Sequence, residues 1–221
     1  MLITQDLETG PNPTASLIIL HGLGADGSDF VPFCGELTLG DAGPVRFVLP
    51  SAPVRRVSLN NGYPMQAWYD ILPVNGPRRE DEASLREAHV QVMWLIEREI
   101  ARGVPSERIV LMGFSQGCAM TLMTGLRCPH KLAGLVAMSG YLPLADTTAA
   151  ERSPANQHTP IFMAHGSEDD VVSITRGAAA RDALEGLGYD VSWHSYPMEH
   201  SLCMAEVDDI HDWVAARLRL A

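Results

Sequence analysis

Ile109-Val110-Leu111-Met112-Gly113-Phe114-Ser115-Gln116-Gly117-Cys118-Ala119-Met120 is the stretch on which the fold turns. Its first four residues form an apolar run bounded by turn formers and too short for a buried helix. They read as a strand covered on both faces. Gly113 to Gly117 matches G-x-S-x-G, and an apolar helical stretch over 116–126 follows at once. By composition alone that five-residue pattern arises in about one chain in ten or twenty of this size. Strand before and helix after make it a nucleophile elbow, a sharp turn that holds its serine in a strained backbone conformation. The flanking glycines leave room for neighbouring backbone. The helix points free N–H groups at the serine, where they favour the negative charge that develops as a carbonyl is attacked.

Outward from this stretch the same alternation continues. Apolar runs at 17–20, 45–49, 135–138 and 161–164, with a more mixed one at 191–196, alternate with helical segments at 82–102, 175–187 and 205–218. In the last of these, Val207, Ile210, Val214 and Leu218 recur at steps of three and four, one apolar face of a helix. Such alternation predicts an α/β fold, a mainly parallel sheet with helices on both faces. No repeat or linker interrupts the 221 residues, so 1–221 is expected to form one domain. The segment 50–77 is rich in Pro, Gly and Asn yet carries Met65, Trp68, Tyr69, Ile71 and Leu72. It reads as a long functional loop.

Composition narrows the function. A formal net charge of −11, from 16 basic and 27 acidic side chains, repels phosphate backbones and anionic headgroups, which argues against nucleic-acid or membrane-surface partners. Cys34, Cys118, Cys128 and Cys203 are scattered and form no disulfide framework or C-x-x-C pair. The first ten residues lack a signal-peptide layout, and no apolar run approaches the roughly 18 residues of a membrane span. A cytoplasmic location is the expectation.

A serine hydroxyl needs a base, and histidine titrates in the useful range. Among eight histidines, His200 lies just past the run at 191–196, whereas His165 ends a run and leads into an acidic loop. That loop, Glu168-Asp169-Asp170, offers the acid that would orient the base. Ser115, the acidic cluster and His200 each follow a strand, and in a parallel sheet the C-terminal ends share one edge, where α/β sites form. Their chain order, Ser then acid then His, is that of α/β-hydrolases. Spacing alone does not choose between Asp169 and Asp170.

Gly22-Leu23-Gly24-Ala25-Asp26-Gly27 satisfies G-x-G-x-x-G after a strand, which raises a rival reading, an NAD-binding oxidoreductase. That reading needs an acidic residue at the end of the next strand to bind ribose, and this strand ends Val48-Leu49-Pro50-Ser51 instead. In a hydrolase the same glycines bring a backbone N–H beside the serine, forming an oxyanion hole with the N–H of the residue after the nucleophile. The donors would be Leu23 and Gln116.

Together, His21-Gly22-Leu23-Gly24-Ala25-Asp26, the elbow, His165-Gly166-x-x-Asp169 and Tyr196-Pro197-Met198-x-His200 resemble the phospholipase/carboxylesterase family, which includes small bacterial carboxylesterases and acyl-protein thioesterases. The likeness runs from about Leu17 onward. It implies an α/β-hydrolase fold without a large cap, a triad of Ser115, Asp169 (rather than Asp170) and His200, and oxyanion donors Leu23 and Gln116. Asn61-Gly62-Tyr63 with Trp68-Tyr69-Asp70-Ile71 resembles the family's acyl-site loop, and Trp68, Leu72 and Val171 are implied to line the substrate site. The implied activity is hydrolysis of short- to medium-chain carboxylic esters, with acyl-protein thioesterase or lysophospholipase as alternatives. No cofactor or metal is implied; the partner would be a small ester or an acylated molecule, with a homodimer left open. Two residues depart from the family pattern, Cys118 and Glu199, where members commonly have Gly. Cys118 reads as a small apolar filler, and Glu199 beside His200 is expected to favour the imidazolium.

Overall fold

Strands form where the sequence supplies runs that tolerate cover on both faces. The computed structural model describes residues 2–73 and 80–219. Within them lie the strands β1 (Ile3–Glu8), β2 (Ala15–Leu20), β3 (Val45–Ser51), β4 (Val54–Val57), β5 (Tyr63–Gln66), β6 (Ile109–Phe114), β7 (Gly134–Met138), β8 (Ile161–Gly166) and β9 (Val191–Tyr196). The helices are α1 (Val31–Glu36), α2 (Glu82–Ala101), α3 (Gln116–Arg127), α4 (Ala145–Glu151), α5 (Ile174–Gly186) and α6 (Met204–Leu218). Every residue of β2, β7 and β8 is buried, as continuous apolar strands of a parallel sheet should be.

Seven strands pair in the order β1-β3-β2-β6-β7-β8-β9, parallel throughout except for β1, which runs antiparallel to β3. Alternation along each strand splits the core in two. Ile18, Leu20, Ile109 and Leu111 pack with α2 and α3 on one face. Leu17, Ile19, Val110 and Met112 face the other way, toward Phe33 of α1 and Ile210 and Val214 of α6. The order sets β6 in the middle, so the turn after it lies between the loops that leave β2 and β8.

Two features differ from the sequence expectation. β1 was not foreseen, because Ile3–Glu8 is polar and mostly exposed. The segment 50–77, read as a loop, contains the hairpin β4–β5 up to residue 73, and its residues 74–77 lie outside the described residues. Between β7 and β8 only the seven-residue α4 and a short 3-10 turn are found, so no cap is inserted between these two strands. Among the described residues, no helix is long and apolar enough to cross a membrane.

Candidate active site

Ser115 sits between β6 and α3 with φ +56° and ψ −113°, a region that residues other than glycine rarely enter. The glycines around it are there for want of space. A Cβ on Gly113 would lie 2.3 Å from the Gly117 carbonyl oxygen, and one on Gly117 would lie 2.0 Å from that of Leu20. The elbow therefore packs backbone against backbone of β2, which no side chain permits.

The loop after β8 supplies the acid. One oxygen of Asp169 accepts the N–H groups of Val171 and Val172, at 2.9 and 2.8 Å. The other lies 2.6 Å from Nδ1 of His200, and the Asp169 side chain is fully buried. Nε2 of His200 lies 2.9 Å from Oγ of Ser115. A carboxylate only accepts, so Nδ1 carries the hydrogen and Nε2 is left to accept from the serine hydroxyl. Asp170, the neighbour that spacing could not exclude, is exposed. His165 supports the acid from the other side: its Nε2 donates to the Val172 carbonyl at 2.7 Å and lies 3.5 Å from Asp169. Burial holds its pKa below the ordinary histidine value, so it stays neutral beside the acid.

The glycine loop places the other half of the site. Gly24 N–H and Ala25 N–H are bonded within the protein, to Gln66 and Gly22, whereas the N–H groups of Leu23 and of Gln116 have no partner among the described residues. Two unpaired donors beside a strained serine are what an oxyanion requires. His21 fixes the loop: its Nε2 accepts the Ala52 N–H at 2.9 Å, so the ring hydrogen is on Nδ1, which donates to the Gly22 carbonyl at 2.6 Å. Anchoring that carbonyl turns the same peptide's Leu23 N–H the opposite way. Burial lowers the His21 pKa and keeps it neutral. The G-x-G-x-x-G run leads into a four-residue 3-10 turn, Gly27–Phe30, rather than the long helix on which a dinucleotide's pyrophosphate would rest.

A cavity of about 550 Å³ opens over Ser115 and His200, its walls mostly apolar, including Phe30, Phe33, Leu59, Ile71 and Phe114. Val171, named from the sequence for the substrate site, lines it, as do Leu23 and Gln116, named as oxyanion donors. Trp68 does not: it is wholly buried in the core, and its indole N–H donates to the His21 carbonyl. Leu72 is half-buried away from the cavity, and Ile71 and Tyr69 take the wall instead. The sequence reading also missed the Gln116 side chain, which accepts the Trp68 N–H and donates to the Tyr69 carbonyl, tying this wall to the elbow. Only its place beside the serine could have signalled it. Glu199 is exposed and makes no hydrogen bond or ion pair with His200 among the described residues, so the expected influence has no contact behind it. Cys118 is fully buried against Gly140, and burial raises its pKa, so it fills space as an unreactive thiol.

Residues 7–218 match the family described as phospholipase/carboxylesterase. Acyl-protein thioesterase 1 of Neurospora crassa is 41% identical over 215 residues, covering 93% of this chain and 87% of the relative. Its namesake from Yarrowia lipolytica is 38% identical, with 93% of each chain covered. The crystal structure of Arabidopsis thaliana SOBER1 superposes with a TM-score of 0.87 at 31% identity, over 92% of this chain and 99% of that one. Zea mays acyl-protein thioesterase 2 gives 0.86 at 28% identity, over 98% and 99%.

Proposed function

The chain belongs to the phospholipase/carboxylesterase family and is a serine hydrolase of ester or thioester bonds, and on that premise we propose that it is an acyl-protein thioesterase acting through Ser115. The observation that carries the assignment of residues is the continuous chain Asp169–His200–Ser115 at the mouth of an apolar cavity. His200 Nε2 takes the hydroxyl proton as Ser115 Oγ attacks the acyl carbonyl. Buried Asp169 holds the imidazole in the required tautomer and stabilises the imidazolium that forms. The N–H groups of Leu23 and Gln116 receive the oxyanion, His200 returns the proton to the departing thiol or alcohol, and water releases the acid by the same route.

The substrate reading rests on the relatives, which are acyl-protein thioesterases, and on the absence of a cap between β7 and β8. An uncapped, apolar site suits an acyl chain presented on a bulky carrier. The test is kcat/KM across acyl lengths for S-acyl peptides and for 4-nitrophenyl esters of the same acids. The proposal expects the peptide thioester to be preferred. A preference of about tenfold or more for short-chain small esters would instead identify a carboxylesterase of small molecules.

A further inference from the structure

One charged group in the cavity is not used by the chemistry above. Arg176, the third residue of α5, lines the cavity together with Ser115 and His200. Its guanidinium carbon lies 3.7 Å from the centre of the Tyr141 ring, a cation–π contact. Tyr141 is fixed in turn by the Tyr69 hydroxyl at 2.8 Å. The Tyr141 hydroxyl also accepts a hydrogen bond from Arg176, which leaves the other N–H donors of the five a guanidinium carries.

Ion pairing does not explain this placement. Among the described residues, no carboxylate forms an ion pair with Arg176. Glu80 borders the adjoining groove, but its carboxylate accepts the Leu144 N–H. Asp169 is committed to His200, Val171 and Val172, and Asp29, the carboxylate on the cavity wall, belongs to the turn after β2. Arg176 also stands in the first turn of α5, the end of a helix where its dipole disfavours a cation. An anion brought to this point would meet both the guanidinium and the positive end of the helix. We propose that Arg176 recognises an anionic group, a carboxylate or a phosphate, carried by the substrate away from the bond that is cut. The inference rests on Ser115 being the nucleophile in this cavity.

The test compares substrates that differ only in that charge. One pair, 4-nitrophenyl hydrogen adipate and 4-nitrophenyl hexanoate, places it on the acyl group. The other, 4-acetoxybenzoate and phenyl acetate, places it on the leaving group. For each pair the readout is the anionic-to-neutral ratio of kcat/KM, which cancels intrinsic reactivity when the wild type is compared with Arg176→Met. Methionine keeps an unbranched stem over Tyr141 without the charge. In at least one pair the ratio falls by about tenfold or more, through KM rather than kcat, and Arg176→Lys restores part of it. The pair that responds locates the anion. In the wild type the same ratio falls with added salt, which needs no variant to fold. Ratios indifferent to both substitution and salt in the two pairs overturn the proposal. Failure of the wild type to cleave even the neutral esters would count against the Ser115 reading, a different failure.

Discussion

Among the described residues, two chains of serine, histidine and aspartate invite comparison, one at the elbow and one on β9, and the one at the elbow has the surroundings of a catalyst. On β9, Ser192 Oγ lies 2.9 Å from His194 Nε2, and His194 Nδ1 lies 3.6 Å from Asp209. At the elbow the corresponding distances are 2.9 and 2.6 Å. The serine–histidine distance does not distinguish them; everything around it does. Ser192 lies on a regular strand, two residues from His194 on the same face, whereas Ser115 is held at positive φ. The side chain of Asp209 is 50% exposed and accepts the Tyr196 hydroxyl, whereas that of Asp169 is 0% exposed and is aimed by two backbone N–H groups. No helix starts after Ser192, and neither it nor His194 lines the apolar cavity. Three residue types within reach are therefore a weak signal; a strained serine, a buried acid and unpaired donors are the strong one.

Substitutions sharpen that contrast in descending order. Ser115→Ala should lower kcat for a 4-nitrophenyl ester by about 10⁴- to 10⁶-fold without unfolding the protein, leaving the residual rate of the oxyanion hole and binding. Asp169→Asn preserves shape but allows the wrong histidine tautomer, and should cost on the order of 10³- to 10⁴-fold in kcat. If Asp169→Asn left kcat within a few-fold of wild type, the account of how His200 is oriented would be wrong.

The contrast extends to a second buried acid. Asp169 has partners for both oxygens, but Glu206, in the first turn of α6, is buried with no side-chain partner among the described residues, and burial outweighs the nearby Cys203 backbone N–H and raises its pKa to about 8. The folded state therefore binds this proton more tightly than the unfolded chain does. Its contribution to stability is full below the ordinary carboxyl range and is lost as pH rises toward about 8. Glu206→Gln should remove that decline in chemical denaturation between acid and mildly alkaline pH; a variant that declines just as steeply would place the titration elsewhere. The smallest effect is expected on β9, where Ser192→Ala and His194→Ala should leave kcat/KM within about twofold, as surface changes away from a site do.

Much of this was legible in the chain, for identifiable reasons. The parallel strands announce themselves because burial on both faces demands unbroken apolar runs such as Ile109 to Met112. The candidates Ser115 and His200 could be named because each follows a strand, whereas the choice of Asp169 over Asp170 came from the family resemblance and not from spacing. β1 was not, since an edge strand needs only backbone pairing with β3 and can be as polar as Thr4-Gln5-Asp6. The β4–β5 hairpin was hidden because Val57 is its one fully buried residue, although Asn61-Gly62, both at positive φ, carried a turn signal. Trp68 misled because an aromatic in a Gly/Pro-rich segment looks available for a ligand. Which way it faces depends on Gln116 and His21, residues far from it in sequence. The setting of Arg176 was invisible for the same reason: its place over Tyr141, with no carboxylate paired to it among the described residues, exists only in three dimensions.

A fluorophosphonate probe decides most directly between the two serines, because it bonds only to a hydroxyl that a base activates and an oxyanion hole serves. Peptide mapping of the labelled protein by mass spectrometry should place a single adduct on Ser115, absent after His200→Ala. An adduct on Ser192, or labelling at Ser115 that is indifferent to His200, would contradict the account.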